Sequence, residues 1–191
     1  MLVLLLILFS WTALCERLLV LVDVSVANMP DSGPLMQNAL KRAYHERLMR
    51  LAGQGDTISI YQFSSRAEQV LTWTNIFDTT LVDGTIEALD FDNGCLNWEA
   101  ALREIAQSKT LSPKPTKIIM VVDENPTCAS SSSEFATKET ARLLQGRGIK
   151  IYPIGLGSAV SNQWLKRVAG PCGLFGCKAG IHYLHRKHYH V

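Results

Sequence analysis

The sequence predicts an α/β fold: a Rossmann-like, doubly wound and mostly parallel sheet with helices on both faces and one antiparallel edge strand. Short aliphatic runs alternate along the chain with amphipathic stretches of helical length, as they do where helices cover a parallel sheet. Two runs, residues 18–22 and 117–122, are almost wholly apolar, like strands buried on both faces. Residues 57–63 and 68–73 instead form a period-two pattern around a short turn, which is typical of an antiparallel hairpin.

In the first half of the chain, the strand at residues 18–22 ends at Asp23. The segment 32–34, Ser-Gly-Pro, supplies a helix cap and a proline at the first helical position, and Gly53 suits the end of that helix. The apolar stripe of this helix is predicted to consist of Leu40, Tyr44, Leu48 and Leu51. After the hairpin, a weaker helix is predicted over residues 81–89.

The second half repeats the alternation of helix and strand. A buried strand ends at Asp123, and a later strand contains Pro153. Because proline cannot donate to the strand ladder, that later strand must lie near an edge or carry a bulge. The elements are predicted over residues 97–107 (helix), 117–122 (strand), 131–144 (helix, opened by a capping box), 151–154 (strand) and 162–168 (helix).

Length and composition favour one globular domain. The chain has 191 residues, of which 47% are hydrophobic and 19% charged, so it is long enough for one well-buried core. Its net charge of +2 gives no reason to expect nucleic acid or an anionic membrane surface as a partner.

The first residues have the pattern of a secretory leader. Residues 2–9 are continuously apolar, long enough for a signal-peptide core and too short for a membrane-spanning helix. Ala13 and Cys15 are small enough to flank a cleavage site, which makes residues 1–15 a predicted signal peptide and Glu16 the mature N-terminus. The alternative is a buried N-terminal strand or helix.

The number of cysteines is consistent with an exported protein. Four lie beyond the leader: Cys95, Cys128, Cys172 and Cys177. An even number in an exported chain suggests two disulfides, with three pairings open. The segment between Cys172 and Cys177 is the easiest loop to close.

Two aspartates follow the most apolar strands. In sheets of this kind, ligands bind beyond the carboxyl ends of the strands. Asp23 and Asp123 both occupy such ends, and Ser25 follows the first of them. We interpret the three as one oxygen-rich site, the alternative being that each aspartate only caps the next turn.

These residues and their spacing resemble the von Willebrand factor A and integrin I domain family, over about residues 17–175. The family carries Asp-x-Ser-x-Ser after its first strand, a threonine in a Gly-x-Thr loop, and an aspartate after its fourth strand. The corresponding segments here are Asp23-Val-Ser25-Val-Ala27, Gly94-Cys95-Leu96, Asp123, the strand end 151–157 and the segment 164–170.

Within the family, the sequence looks most similar to the micronemal adhesins of apicomplexan parasites, the thrombospondin-related anonymous protein type. Those domains also have a cysteine just before the first strand, as at Cys15. They also have a cysteine-containing insertion like residues 172–177, followed by an aromatic strand like residues 181–184.

The resemblance implies a metal-ion-dependent adhesion site, and the departures from it imply a degenerate one. Mg²⁺ prefers near-octahedral oxygen coordination, which the family supplies through aspartates and three hydroxyls. Ala27 and Leu96 remove two of those hydroxyls, so metal binding should be weak or absent: no cofactor, or weakly bound Mg²⁺. Asp23, Ser25 and Asp123 remain as candidate ligands. The residues near enough in sequence to compensate are Asn93, Asn97 and Glu124.

On such a fold, Cys95 and Cys128 fall on loops at the same end of the sheet and flank the degenerate site. A disulfide between them would lock the loops that move when an intact site binds its ligand. Two unpaired thiols are the alternative.

The expected domain covers residues 16–175, followed by a basic, His-rich tail at 176–191 whose spacing matches no structural zinc pattern. No segment after Leu184 has the pattern of the family's long C-terminal helix, so we expect that helix to be missing.

The chain is therefore expected to be a non-enzymatic adhesion module. It should be secreted or displayed on the cell surface, with a secretory organelle as one route, and should not span a membrane. Its expected partner is an extracellular protein or glycan on another cell or matrix. The alternatives are a vestigial domain without ligand binding, a metal-dependent hydrolase built on Asp23 and Asp123, and an intracellular scaffold that retains the leader.

Overall fold

The structure is a computed structural model and describes residues 15–25, 32–91, 94–108, 111–128, 133–156 and 159–169. Five strands form one sheet in the order β3-β2-β1-β4-β5. The strands are β1 (Arg17–Asp23), β2 (Thr57–Phe63), β3 (Ala67–Asn75), β4 (Lys117–Val122) and β5 (Lys150–Gly155). Every neighbouring pair is parallel except the β2–β3 hairpin. The predicted mostly parallel α/β fold with one antiparallel edge strand is confirmed.

Helices cover both faces of this sheet. They are α1 (Ser32–Ala43), α2 (Met49–Leu51), α3 (Thr79–Glu87), α4 (Trp98–Gln107), α5 (Ser133–Gly146) and α6 (Asn162–Ala169). Alternate residues of β1 point to opposite sides because side chains alternate along a strand. Leu19 and Leu21 belong to the core under α4, α5 and α6, whereas Val20 and Val22 belong to the core under α1 and α3. Both cores therefore meet on β1.

The first helical segment departs from the predicted periodicity. Between α1 and α2 lies a π-helical turn, Tyr44–Leu48. This turn holds more residues than an α-helical turn, so it rotates everything after it around the helix axis. Leu40 and Tyr44 are buried as predicted, but Leu51 is 83% exposed. The prediction that Leu51 belongs to the apolar stripe is wrong for this reason.

The position of β5 at the edge of the described sheet explains how this strand accommodates Pro153. β5 pairs with β4, and Pro153 lies opposite Met120 in that ladder. Among the described strands β5 has no second neighbour, so the missing amide hydrogen of proline costs no hydrogen bond on that side. The edge position predicted for this strand is therefore observed.

Several predictions lie outside the described residues. They are the apolar part of the leader at 1–14, the pairing of Cys172 with Cys177, the His-rich tail at 176–191 and the absence of a C-terminal helix. Within the part of the chain that is described, no helix has the length and apolar character needed to cross a membrane.

Candidate functional site

The candidate site lies where β1 and β4 end side by side. The two strands are parallel, with Val22 opposite Val121. Asp23 is the last residue of β1, and Asp123 directly follows β4. Since the carboxyl ends of neighbouring parallel strands share one sheet edge, the register brings both aspartates together.

Asp23 and Ser25 form a tight local unit. One carboxylate oxygen of Asp23, Oδ1, accepts hydrogen bonds from the backbone N–H of Ser25 at 2.9 Å and from its hydroxyl at 2.7 Å. Asp23 is 1% exposed and Ser25 is 2% exposed. A charged group this deeply buried is costly unless something neutralises it.

Asp123 faces the other oxygen of Asp23. The backbone N–H of Asp123 donates to Asp23 Oδ2 at 3.4 Å. Its own Oδ1 is buried and finds no hydrogen-bond partner within the described part of the chain. Glu124 is also close, because the Ser25 hydroxyl lies 3.4 Å from Glu124 Oε1. The structure thus brings the predicted trio together and adds Glu124 at its rim.

The electrostatics show a shortage of positive charge. Burial raises the pKa of Asp23 to about 8, and the nearby charge of Asp123 adds to the effect, while the bonds from Ser25 oppose it. Burial also raises the pKa of Asp123, against the opposing hydrogen bond with Asp23. The pKa of Glu124 is raised by burial and then by the charge of Asp123. Either a proton or a cation must therefore balance this group of carboxylates.

The residues present fit a hard divalent cation only in part. Asp23, Ser25 and Asp123 offer carboxylate and hydroxyl oxygens, which Mg²⁺ prefers, and Asp123 has an oxygen with no other bond. Leu96 does not fit: its side chain is fully buried and carries no oxygen. In the described ranges, no three His, Cys, Asp or Glu side chains are grouped so as to hold a metal.

The three residues predicted to compensate for the lost hydroxyl ligands have different outcomes. Asn97 has another role: its side-chain oxygen accepts from the N–H of Ala100 at 3.0 Å and caps α4. Glu124 lies beside Ser25, as described above. Asn93 lies outside the described residues, as does Ala27, one of the two positions where a family hydroxyl is lost.

The disulfide between Cys95 and Cys128 is present, with the two Cα atoms 5.0 Å apart. It connects the loop before α4 to the loop after β4, so it borders the candidate site. Cys15, which is free and exposed, is not part of it.

Sequence reasoning did not identify two residues of the loop after β4. The hydroxyl of Thr127 accepts the backbone N–H of Leu96 at 2.8 Å. The side-chain oxygen of Asn125 accepts the N–H of Ser161, just before α6, at 2.8 Å. Turn-forming polar residues are common in loops, so their presence in the sequence does not reveal which distant amides they bind.

The profile of the von Willebrand factor type A domain matches residues 18–177. The chain belongs to the von Willebrand factor type A domain family. The family resemblance predicted from the sequence is thereby confirmed. A comparison with curated proteins found no match.

Solved structures of von Willebrand factor type A domains are similar to this one. Proximal thread matrix protein 1 from the mussel byssus, whose adhesion-site motif holds zinc, superposes with a TM-score of 0.64 at 16% identity. That match covers 81% of this chain and 41% of the mussel protein, so this chain spans about two fifths of its length.

Manganese-loaded Plasmodium vivax TRAP protein superposes with a TM-score of 0.66 at 18% identity. That match covers 85% of this chain and 65% of the TRAP chain. BatB from Bacteroides thetaiotaomicron gives a TM-score of 0.58 at 13% identity, with 81% and 85% covered. At these identities the likeness establishes the fold.

Proposed function

We propose that this von Willebrand factor type A domain is an extracellular protein-binding and cell-adhesion module. The observation that carries the proposal is the meeting of Asp23, Ser25 and Asp123 at the carboxyl edge of the sheet. The binding face consists of this site and the loops beside it. Its partner is an extracellular protein or glycan, and its role is to bind rather than to catalyse a reaction.

A weakly bound divalent cation is part of the proposal. The carboxylates of Asp23 and Asp123 and the hydroxyl of Ser25 would hold it, with water in place of the hydroxyls lost at Ala27 and Leu96. Once bound, the cation would supply positive charge that attracts an acidic group of a partner. The cation would bind weakly because only three protein ligands hold it, in place of the larger set in the family.

An extracellular location is supported from two sides. The mussel neighbour is a thread matrix protein of the byssus, and the disulfide between Cys95 and Cys128 is of a kind that persists in oxidising compartments. The proposed organisation is a leader at 1–15, the domain at 16–175 and a basic tail at 176–191.

The test compares matched variants at the two ends of the sheet. Gln163 is exposed at the start of α6, on the proposed face, whereas Gln54 is exposed in the turn before β2, at the opposite edge. Immobilised chain would be probed by surface plasmon resonance with collagen, laminin, fibronectin and sulphated glycosaminoglycans.

We expect one of these probes to bind, Gln163→Arg to weaken that binding by about tenfold or more, and Gln54→Arg to leave it unchanged. The proposal fails if none of the probes binds, or if the two arginine variants bind as the unaltered chain does.

A further inference from the structure

The candidate site is bordered by two segments that are unusually well connected to each other. We call residues 94–97 the α4 loop and residues 123–128 the β4 loop. Their covalent connection is the disulfide between Cys95 and Cys128, across a sequence separation of 33. The α4 loop precedes α4 in the connection from α3, and the β4 loop lies in the connection from β4 to α5, so the bridge fixes two separate connections relative to each other.

Backbone hydrogen bonds reinforce the same connection. Leu96 donates its N–H to the hydroxyl of Thr127 at 2.8 Å. Its carbonyl oxygen accepts the N–H of Thr127 at 2.9 Å and that of Cys128 at 3.1 Å. The N–H of Asn97 donates to the carbonyl of Ser64 at 2.9 Å, which holds the α4 loop to the end of β2 as well.

The side chain of Leu96 anchors the α4 loop in the core instead of directing it to the site. It is fully buried in the cluster that contains Trp98 and Leu102 of α4. An aliphatic side chain cannot bind a cation, so through residue 96 the α4 loop has no side-chain bond to any metal held by Asp23 and Asp123.

The β4 loop is held on its other side too. Asp123 donates its N–H to Asp23, and Asn125 accepts the N–H of Ser161 before α6. The β4 loop therefore has connections to β1, to the α4 loop and to α6. None of these three connections needs a metal ion.

We propose that the disulfide between Cys95 and Cys128 takes the place of a bound cation as the tie between the loops. The binding face then keeps one shape with or without metal, and it loses that shape when the bridge is absent. The inference rests on the proposed function only in calling this surface the binding face.

Amide hydrogen exchange tests this directly, because the bonds between the loops involve the N–H groups of Leu96, Thr127 and Cys128. The N–H of Asn97, which holds the α4 loop to Ser64, is measured with them. The full chain would be measured in EDTA and in Mn²⁺, next to the variant with Cys95→Ala and Cys128→Ala. All variants would be made in the chain that keeps residue 15, and Cys15→Ala is the matched control, since it removes a free, exposed cysteine before β1, at the opposite end of that strand from Asp23.

In the unaltered chain and in Cys15→Ala, we expect protection of these four amides to agree within about twofold between EDTA and Mn²⁺. In the double variant, protection should fall by about tenfold or more in both conditions. The amide of Ile76, bonded to Asp56 at the opposite edge, should stay protected and report that the variant is folded.

Loss of protection in EDTA in the unaltered chain would overturn the proposal, as would retained protection in the folded double variant. If the double variant does not fold, Thr127→Val serves instead, with the disulfide intact. The amides of Asn97 and Cys128 should then remain protected, and their collapse would also overturn the proposal. No outcome depends on a ligand, so this test can fail independently of the adhesion proposal.

Discussion

Asp23→Asn should make the metal-free domain more stable at neutral pH. Asp23 is almost completely buried, and its pKa of about 8 means that the folded chain keeps a proton on this carboxyl at pH 7. The unfolded chain releases that proton, because the ordinary value is 3.8. Asparagine has nearly the same shape and no charge, and its oxygen can still accept both hydrogen bonds from Ser25. Its amide nitrogen gives up only the long bond from the N–H of Asp123, at 3.4 Å. The substitution therefore removes the cost of holding the proton.

The size of the effect follows from linkage. Where the folded pKa of an acid is raised, stability is full below the unfolded pKa and is lost as pH rises towards the folded pKa. From 3.8 to pH 7, at about 1.4 kcal/mol per pKa unit, the cost reaches about 4 kcal/mol. This is an upper limit, because the pKa of Asp23 depends in part on the charge of Asp123.

The assay is urea unfolding of both proteins in EDTA at pH 4, 5.5 and 7. The free energy of unfolding should be nearly equal at pH 4, and the advantage of the asparagine variant should grow steadily to pH 7. An advantage that does not change with pH, or a variant that is less stable at pH 7, would refute the reasoning. Glu104→Gln, at an exposed carboxylate on α4, controls for the general effect of losing a surface charge.

Three further predictions concern stability. Replacing both Cys95 and Cys128 by alanine should lower the free energy of unfolding by about 2–4 kcal/mol, because the disulfide restricts the unfolded chain. A loss below about 1 kcal/mol in urea unfolding would contradict this prediction. Asn97→Ala should cost about 1 kcal/mol by removing the cap on the N–H of Ala100, and Asn97→Asp should cost less. Trp98→Ala should cost about 3–5 kcal/mol in the same assay, since the side chain is fully buried; a cost near zero would mean that the core collapses around the gap.

The strands could be predicted from the sequence because the burial of a strand determines the order of its apolar and polar residues. β4 occupies the predicted residues Lys117–Val122, as expected for a strand whose neighbours on both sides and both faces are apolar. The hairpin of β2 and β3 was equally clear from its period-two pattern. The π-helical turn could not be predicted, since an apolar stripe is found by assuming one constant helical period. Leu51 fits that period in the sequence and lies outside the stripe in the structure.

The site residues that directly follow a strand could be predicted from the sequence. Asp23 and Asp123 follow parallel neighbouring strands, so their approach follows from topology alone. The bonds of Asn97, Asn125 and Thr127 depend instead on the path of the loops, which residue type does not fix. Asn97 was predicted as a compensating ligand from its place in the sequence, but its side-chain oxygen caps α4.

Isothermal titration with Mn²⁺ tests the central claim most directly, namely that Asp23, Ser25 and Asp123 still form a divalent-cation site. The chain would be stripped with EDTA, dialysed and titrated next to Asp123→Ala and the control Asp83→Ala, which removes a half-buried carboxylate of α3 that is paired with His45. We predict saturable heat with a Kd on the order of 10⁻⁴–10⁻³ M in the unaltered chain and in Asp83→Ala, and none in Asp123→Ala. No heat in the unaltered chain, or equal heat in all three proteins, would contradict the claim.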